Sequence, residues 1–255
     1  MPANYAHYRF GKQLIPALPA EIRQCIQRFR RMFDMGLHGP DIFFYYNPYM
    51  KTAVGELGRT YHRQSGAEFF PKACDAAGSE AARAYLYGLL AHYCLDSVCH
   101  PYVNKIVDIG EATHVALESE FDRYLLVLDK EPSPHTYDMS KRLKLTRGEC
   151  MSVAAFYPPA TGANISLSVK SMAFSTRFLS SPRRARNRKL LNRIKPSLLD
   201  HMIPETESEP LAPYIRELAE LYTQALECYP LLLEQLTEYQ QTGKPLGQEF
   251  EPDFG

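Results

Sequence analysis

The sequence lacks a long apolar run and has no excess of charge of either sign. No stretch reaches about 18 apolar residues without a charged one, so no membrane span is expected. The 29 basic and 29 acidic residues balance, so no overall electric field marks nucleic acid or membrane as the partner. The amino-terminal residues also lack the uninterrupted apolar segment of a signal peptide. We therefore expect a cytoplasmic protein.

Tryptophan is absent, and the cysteines form no recognisable motif. The six cysteines are scattered without a C-x-x-C pair, and without a secretion signal they are expected to be reduced thiols. Tyrosine and phenylalanine, in contrast, are abundant, with 17 and 13 residues. So many rings predict either an aromatic-rich helical core or the wall of a pocket for an organic ligand.

Strand-like alternation, internal repeats and low-complexity tracts are also lacking, whereas helical periodicity recurs along the chain. Ser79 has the position of an N-cap for a helix that Pro101 is expected to end near His100. Another long helix is predicted from about Leu211 to Gln241. The pattern predicts an all-α fold.

The length of 255 residues, with 45% of them apolar, suffices for a substantial core. We predict a single multi-helix bundle over residues 1–255. Residues 1–125 are expected to supply the functional site, and residues 140–245 the supporting helices.

Histidines and acids recur at helical spacing in the middle of the first half. His92, Asp96 and His100 are spaced i, i+4, i+8, and His114 and Glu118 repeat the i, i+4 step. Side chains four residues apart share one face of a helix. Imidazole and carboxylate groups so placed can converge on one divalent ion, as in zinc sites of the H-E-x-x-H type. The span therefore predicts a site for more than one metal ion.

Three further residues, His7, Asp41 and His62, carry the same kinds of side chain. Histidines and carboxylates that face a core each cost several kcal/mol if they are left unpaired, and a metal removes that cost for the whole group. Imidazole and carboxylate ligands without thiolate suit Zn²⁺ best, with Fe, Mn or Ni as alternatives.

Two other helical metal folds fit the sequence less well. A ferritin-like di-iron bundle needs two E-x-x-H motifs, and Glu111-x-x-His114 is the only one here. A phosphohydrolase of the HD type needs an adjacent His-Asp pair, which the sequence does not contain. Both alternatives are therefore disfavoured.

Five segments together resemble one known family: A-H-Y-R-F-G-K, H-G-P-D-I-F-F-Y, T-Y-H-R-Q, L-L-A-H-Y-C-L-D-S-V-C-H-P-Y and T-H-V-A-L-E-S-E-F-D. With them, about the first half of the chain resembles the bacterial zinc-dependent phospholipase C family, which is related to the S1/P1 nucleases. The resemblance implies an all-α bundle of the phospholipase C and P1 nuclease type. It also implies hydrolysis of a phosphodiester by water activated on a metal cluster.

The resemblance also implies roles for individual residues. Three metal positions would share eight side chains, the first held by Asp41, His62, His92 and Asp96, the second by His100, His114 and Glu118, and the third by His7 and Asp96. Asp41 would in addition orient the attacking water as the catalytic base. In the family, the amino group of an N-terminal tryptophan completes the third position. This sequence has no tryptophan, and loss of Met1 would expose Pro2, so we expect two or three zinc ions.

Residues after the loop aspartate are candidates for substrate binding. The family has a tyrosine directly after this aspartate in its choline pocket, whereas this sequence has Ile42, so phosphatidylcholine specificity does not follow. Phe43, Phe44 and Tyr45 could wall a lipid or base pocket, or simply pack in the core. Three remaining histidines, His38, His135 and His201, have no partners at useful spacing and are expected in loops or at the surface.

Basic residues recur from Arg177 to Lys195 and could contact nucleic acid or, through Arg183–Lys195, anionic lipid head groups. They could equally form a solvated helix face balanced by the acidic run Glu205–Glu209. No stable nucleic-acid partner is predicted. The leading hypothesis is a phosphoester hydrolase acting on a small phosphoester or a phospholipid head group. The alternatives are an S1/P1-like nuclease or nucleotidase, and a non-catalytic helical protein with structural metals.

Overall fold

The computed structural model describes residues 4–48, 50–194 and 196–255. Over those residues the chain is 74% helical and contains no strand, which confirms the all-α prediction. The α-helices are α1 (Asn4–Leu14), α2 (Ala20–Arg28), α3 (Arg30–Gly36), α4 (Ala53–His62), α5 (Gly66–Ala76), α6 (Glu80–Asp108), α7 (His114–Leu128), α8 (Arg147–Ala154), α9 (Gly162–Leu179), α10 (Arg184–Ile194) and α11 (Ala212–Thr242). Short 3-10 turns include Gly39–Tyr45 and Gln248–Phe250.

The central element is α6, which packs most extensively against α3 and α11. Ser79 caps its first turn as predicted, because the serine side chain accepts the Ala82 N–H. Two glycines bring α3 and α6 together: a Cβ at Gly36 would collide with the Tyr85 carbonyl, and one at Gly88 with the carbonyl of Phe33. This close crossing places the loop that follows α3 against the middle of α6.

Pro101 lies inside α6, so the prediction that it ends the helix near His100 is wrong. An interior proline costs a helix about 3 kcal/mol, because it lacks the amide hydrogen and crowds the preceding turn. Beyond the proline, Val103 and Ile106 are buried in the core. Burial stabilises each such side chain by about 1.5–3 kcal/mol, which offsets the cost. His100 therefore stays in helical register with the two candidate ligands before it.

The second long helix, α11, matches the predicted span to within one residue at each end. It covers α6, where the Cys94 thiol donates to the Ala225 carbonyl and the Tyr229 hydroxyl donates to the Tyr87 carbonyl. Gly243, at a φ of 73°, ends α11 in the left-handed conformation, and the chain then returns towards α6. None of the helices in the described residues has an apolar stretch of the length that a bilayer span requires.

Candidate metal centre

The eight predicted ligands come from five elements and meet in one region beside α6. Six of them are buried and two, Asp41 and His114, are half-buried. His7 lies on α1, Asp41 in the turn after α3, and His62 at the end of α4. The series His92, Asp96 and His100 lies on α6, and the pair His114 and Glu118 lies on α7. The first ligand of α7 is also its first residue, because the preceding Thr113 caps the helix through a bond from the Ala116 N–H.

Asp96 lies at the middle of the group and faces three imidazoles. Its Oδ1 lies 3.2 Å from His7 Nε2 and 3.7 Å from His100 Nε2, while its Oδ2 lies 3.2 Å from His92 Nε2. Because its two oxygens face ligands of different groups, this carboxylate is placed where a bridging ligand would be.

Two further carboxylates pair with imidazoles of the group. Glu118 Oε1 lies 3.1 Å from His114 Nε2 and 3.6 Å from His100 Nε2. Asp41 Oδ1 lies 3.1 Å from His62 Nε2. Two ligands bound at about 2.0–2.1 Å to one tetrahedral zinc ion are themselves about 3.4 Å apart. The separations between these donor atoms are thus those expected around metal ions.

Three of the histidine rings are held in an orientation that suits metal ligands. In three of them the Nδ1 atom pairs with a backbone carbonyl: His62 with Gly58 at 2.7 Å, His92 with Leu37 at 3.2 Å and His100 with Phe254 at 2.8 Å. A proton held at Nδ1 leaves Nε2 with a lone pair for a metal.

The buried Nε2 atom of His92 makes no hydrogen bond, although the Asp96 carboxylate is near. A bound cation would satisfy a buried acceptor nitrogen that has no hydrogen-bond donor.

Donor atoms fall into three groups in which every atom lies within 4.8 Å of the others: His7 with Asp41 and His92, His62 with His92 and Asp96, and His100 with His114 and Glu118. All are imidazole nitrogens or carboxylate oxygens, a set that suits zinc. The residues therefore fit the metal that the sequence predicts. Pro2, the alternative amino-terminal ligand, lies outside the described residues.

The pKa values of Asp96 and His100 are shifted by the charges that the centre brings together. Burial acts to raise the pKa of Asp96, yet the charges of His100, His92 and His7 hold that pKa well below its usual range. Burial acts to lower the pKa of His100, yet Asp96 and Glu118 raise it to about 9. Without metal, protons on such imidazoles neutralise the carboxylates, and bound cations would take over that role.

The corner between α3 and Asp41 wraps around His92. Gly39, at a φ of 44°, lies so close that a Cβ there would collide with the His92 ring. The neighbouring His38 lies in the turn after α3, so the loop alternative holds for this residue, but it is only 3% exposed and does not lie at the surface. Burial, together with the charge of His7, lowers the pKa of His38 to about 3, so its ring is neutral.

Asp122, which the spacing analysis did not select, holds α1 in place. Its carboxylate oxygens accept the backbone N–H groups of Tyr5 and Ala6 at 3.1 and 2.8 Å. An acidic group there satisfies free amides of the first turn of α1 and favours the positive end of its dipole. His7 follows directly, so Asp122 fixes its position. The available signal was spacing: Asp122 is four residues beyond Glu118.

The three proposed substrate residues have different surroundings. Phe43 is fully buried and packs edge-on against Tyr157, so it belongs to the core. Phe44 is half-buried, with its ring centre 5.3 Å from that of His62, beside the metal centre. Tyr45 lines a small cavity with Asp122.

Comparison with known proteins supports the assignment made from geometry. No curated protein and no solved structure matches the chain. The sequence model of the family described as zinc dependent phospholipase C matches residues 6–158, a range that contains all eight candidate ligands. The match covers more than half of the 255 residues. The chain therefore belongs to the zinc-dependent phospholipase C family.

Proposed function

We propose that this protein is a zinc-dependent phosphoester hydrolase whose cluster of two or three ions activates water for attack on a phosphodiester. Family membership suggests metal-dependent phospholipase activity. The observation that carries the proposal is the meeting of three ligand groups around Asp96, with Nε2 atoms turned inward and three rings fixed through Nδ1.

Bound zinc would act as a Lewis acid towards the phosphoryl oxygens and would lower the pKa of a water molecule. Asp41 is the proposed base. Burial acts to raise its pKa, but the hydrogen bond from His62 and the charges of His92 and His62 hold that pKa well below its usual range. An ionised Asp41 can accept a hydrogen bond from the attacking water and turn its lone pair towards phosphorus. The water oxygen then bonds to phosphorus, the ester P–O bond breaks, and the leaving alkoxide takes up the proton.

Access to the centre favours an enzyme over a protein with structural metals. The side chains of Asp41 and His114, which belong to different ligand groups, remain 17% and 33% exposed. Structural zinc sites are closed by protein ligands, whereas catalytic ones keep a position open for water or substrate. A nuclease or nucleotidase would use the same metals, and Phe44 beside His62 offers a ring on which a base could stack.

The proposed membrane contact falls on α10. Within the stretch Arg183–Lys195, Lys195 lies outside the described residues, and Arg184 is buried against Glu205 and two backbone carbonyls. Most of the other basic side chains are exposed, and so are the apolar Leu190 and Phe174, the latter by 71%. Exposed basic and apolar side chains near one another in the sequence are what peripheral contact with an anionic membrane needs.

A soluble phosphoester, or a phospholipid head group reached through this surface, is the proposed substrate. No stable nucleic-acid partner is proposed. A cytoplasmic location stays a prediction, in keeping with six free cysteines.

The metal content of protein purified without an affinity tag tests the proposal, for wild type, Asp96→Ala and a matched control, Asp75→Ala, whose carboxylate is exposed on α5. We expect two or three zinc ions per chain in the wild type and the control, and a loss in Asp96→Ala. The zinc-loaded protein should then hydrolyse phospholipid in anionic vesicles, or a soluble phosphodiester. A folded wild type without metal, or a zinc-loaded protein inactive on phosphodiesters and phosphomonoesters alike, would contradict the proposal.

A further inference from the structure

The last nine residues, Gly247–Gly255, return from the end of α11 to the metal centre; we call this segment the tail. It lies outside the residues that match the family. Most of its residues are exposed, but the rings of Phe250 and Phe254 are fully buried. Burial of both rings indicates that the tail has a fixed position.

Backbone bonds to α5 and α6 anchor the tail. The Pro252 carbonyl accepts the Gly66 N–H at 3.0 Å, and the Tyr93 hydroxyl reaches the carbonyls of Pro252 and Glu249 at 3.0 and 3.1 Å. The Phe250 ring stacks on Tyr93 with 5.8 Å between centroids. These contacts hold the tail beside the helix that carries three of the candidate ligands.

Phe254 then contacts three candidate ligands at once. Its carbonyl pairs with His100 Nδ1 at 2.8 Å, and its N–H donates to the His62 carbonyl at 3.0 Å. Its ring centre lies 6.2 Å from that of His62 and 6.0 Å from that of His92. His62 and His100 belong to different ligand groups, so one residue of the tail spans both.

We propose that Phe254 is a positioning residue of the metal centre: its carbonyl holds the proton of His100 at Nδ1, so that Nε2 points to the metal, and its N–H and ring fix His62 relative to His100. This inference rests on the proposed metal centre. Partners of this kind orient metal-bound histidines, and losing one lowers metal affinity by about 10–100-fold.

Phe250 provides an internal comparison that separates positioning from packing. Like Phe254, it is fully buried in the tail. Its rings of contact are Phe70 and Tyr93, neither of which is a candidate ligand. Replacing either phenylalanine by alanine removes packing against Phe70 and Tyr93, but only the Phe254 substitution also removes ring contacts with candidate ligands.

The test compares the wild type with three variants: a chain shortened to end at Asp253, Phe254→Ala and Phe250→Ala. Zinc affinity is measured by competition with a chelator, and circular dichroism of each metal-free protein checks its fold. Ending the chain at Asp253 removes the carbonyl that His100 uses and should lower affinity about 10–100-fold. Phe254→Ala keeps a carbonyl and should show a smaller loss. Phe250→Ala should lower Tm while leaving zinc affinity at the wild-type value.

A second readout follows the His100 ring itself. In the zinc-loaded wild type, the proton on His100 Nδ1 should exchange slowly with water by NMR, and in the chain ending at Asp253 it should exchange fast. Unchanged affinity in the shortened chain, or an equal loss in Phe250→Ala, would overturn the role of Phe254 while leaving the metal centre intact. A wild type that binds no zinc would instead overturn the metal centre, and this inference with it.

Discussion

The ligand half of the molecule, residues 4–128, and the support half, residues 140–255, treat buried charge differently. Over the described residues of the support half, Arg184 is the only charged side chain that is buried, and Glu205 and two carbonyls satisfy it. The ligand half also contains a buried pair of this kind, Glu120 with Arg123, but around Asp96 buried carboxylate and imidazole groups face one another. A charge satisfied by protein groups needs no ion, whereas the ligand half has donors arranged for cations.

Asp96→Asn should have the largest effect, because the amide cannot bridge two groups of ligands as the carboxylate does. We expect loss of zinc from the centre and loss of phosphoester hydrolysis. Elemental analysis and an assay of the purified protein measure both. In the support half, Asn187→Ala, which removes the bond to the Phe178 carbonyl, should leave zinc content unchanged. Retention of all zinc in Asp96→Asn would remove the difference between the halves.

Removing zinc from the wild type should cost stability, since an ion that binds only the folded state stabilises it by mass action. At free zinc 1,000 times the dissociation constant, this contribution is about 4 kcal/mol. Thermal unfolding with and without a chelator measures the loss as a fall in Tm. An equal Tm with and without the chelator would show that no metal ion binds the buried donor atoms.

The Asp122→Asn substitution tests whether the carboxyl group that binds the start of α1 makes stability depend on pH. In the folded protein, burial raises the pKa of Asp122 to about 7, although the Tyr5 and Ala6 amides act to lower it. The folded state therefore binds this proton more tightly than the unfolded chain, whose aspartate titrates near pH 3.9. The resulting stability is full below about pH 4 and is lost as pH rises through about 7.

Metal-free Asp122→Asn lacks that titration, so its unfolding free energy should fall less between pH 4 and 7 than that of the wild type. The expected difference is on the order of 3 kcal/mol, because one pKa unit corresponds to about 1.4 kcal/mol. Denaturant unfolding at a series of pH values measures it, and parallel curves would show that Asp122 does not titrate in this range.

The difference between the halves also explains what the sequence could reveal. Helical spacing identified His92, Asp96 and His100 as candidates, because polar side chains on an apolar helix face can be recognised from the sequence alone. The Pro101 prediction failed because the burial of Val103 and Ile106 is a tertiary effect that local preference does not contain. In the support half, helical periodicity predicted the span of α11 but no functional residue on it.

Backbone partners were invisible for a different reason. The Phe254 carbonyl that pairs with His100 is 154 residues away in sequence, and any residue type offers a carbonyl. The Leu37 carbonyl beside His92 has the same character. Residue identity thus predicts the ligands, while the groups that orient them depend on how the chain folds back.

Glu205→Gln should have the smallest effect. Its side chain is 59% exposed, so solvent screens its pairing with Arg184, and an exposed pair is worth at most about 1 kcal/mol. The guanidinium also keeps its bonds to the His135 and Ile203 carbonyls. We expect unchanged zinc content and a change in unfolding free energy below about 1 kcal/mol, measured by denaturant unfolding. A larger loss would mean that the buried charge of Arg184 depends on Glu205 more than on the two carbonyls.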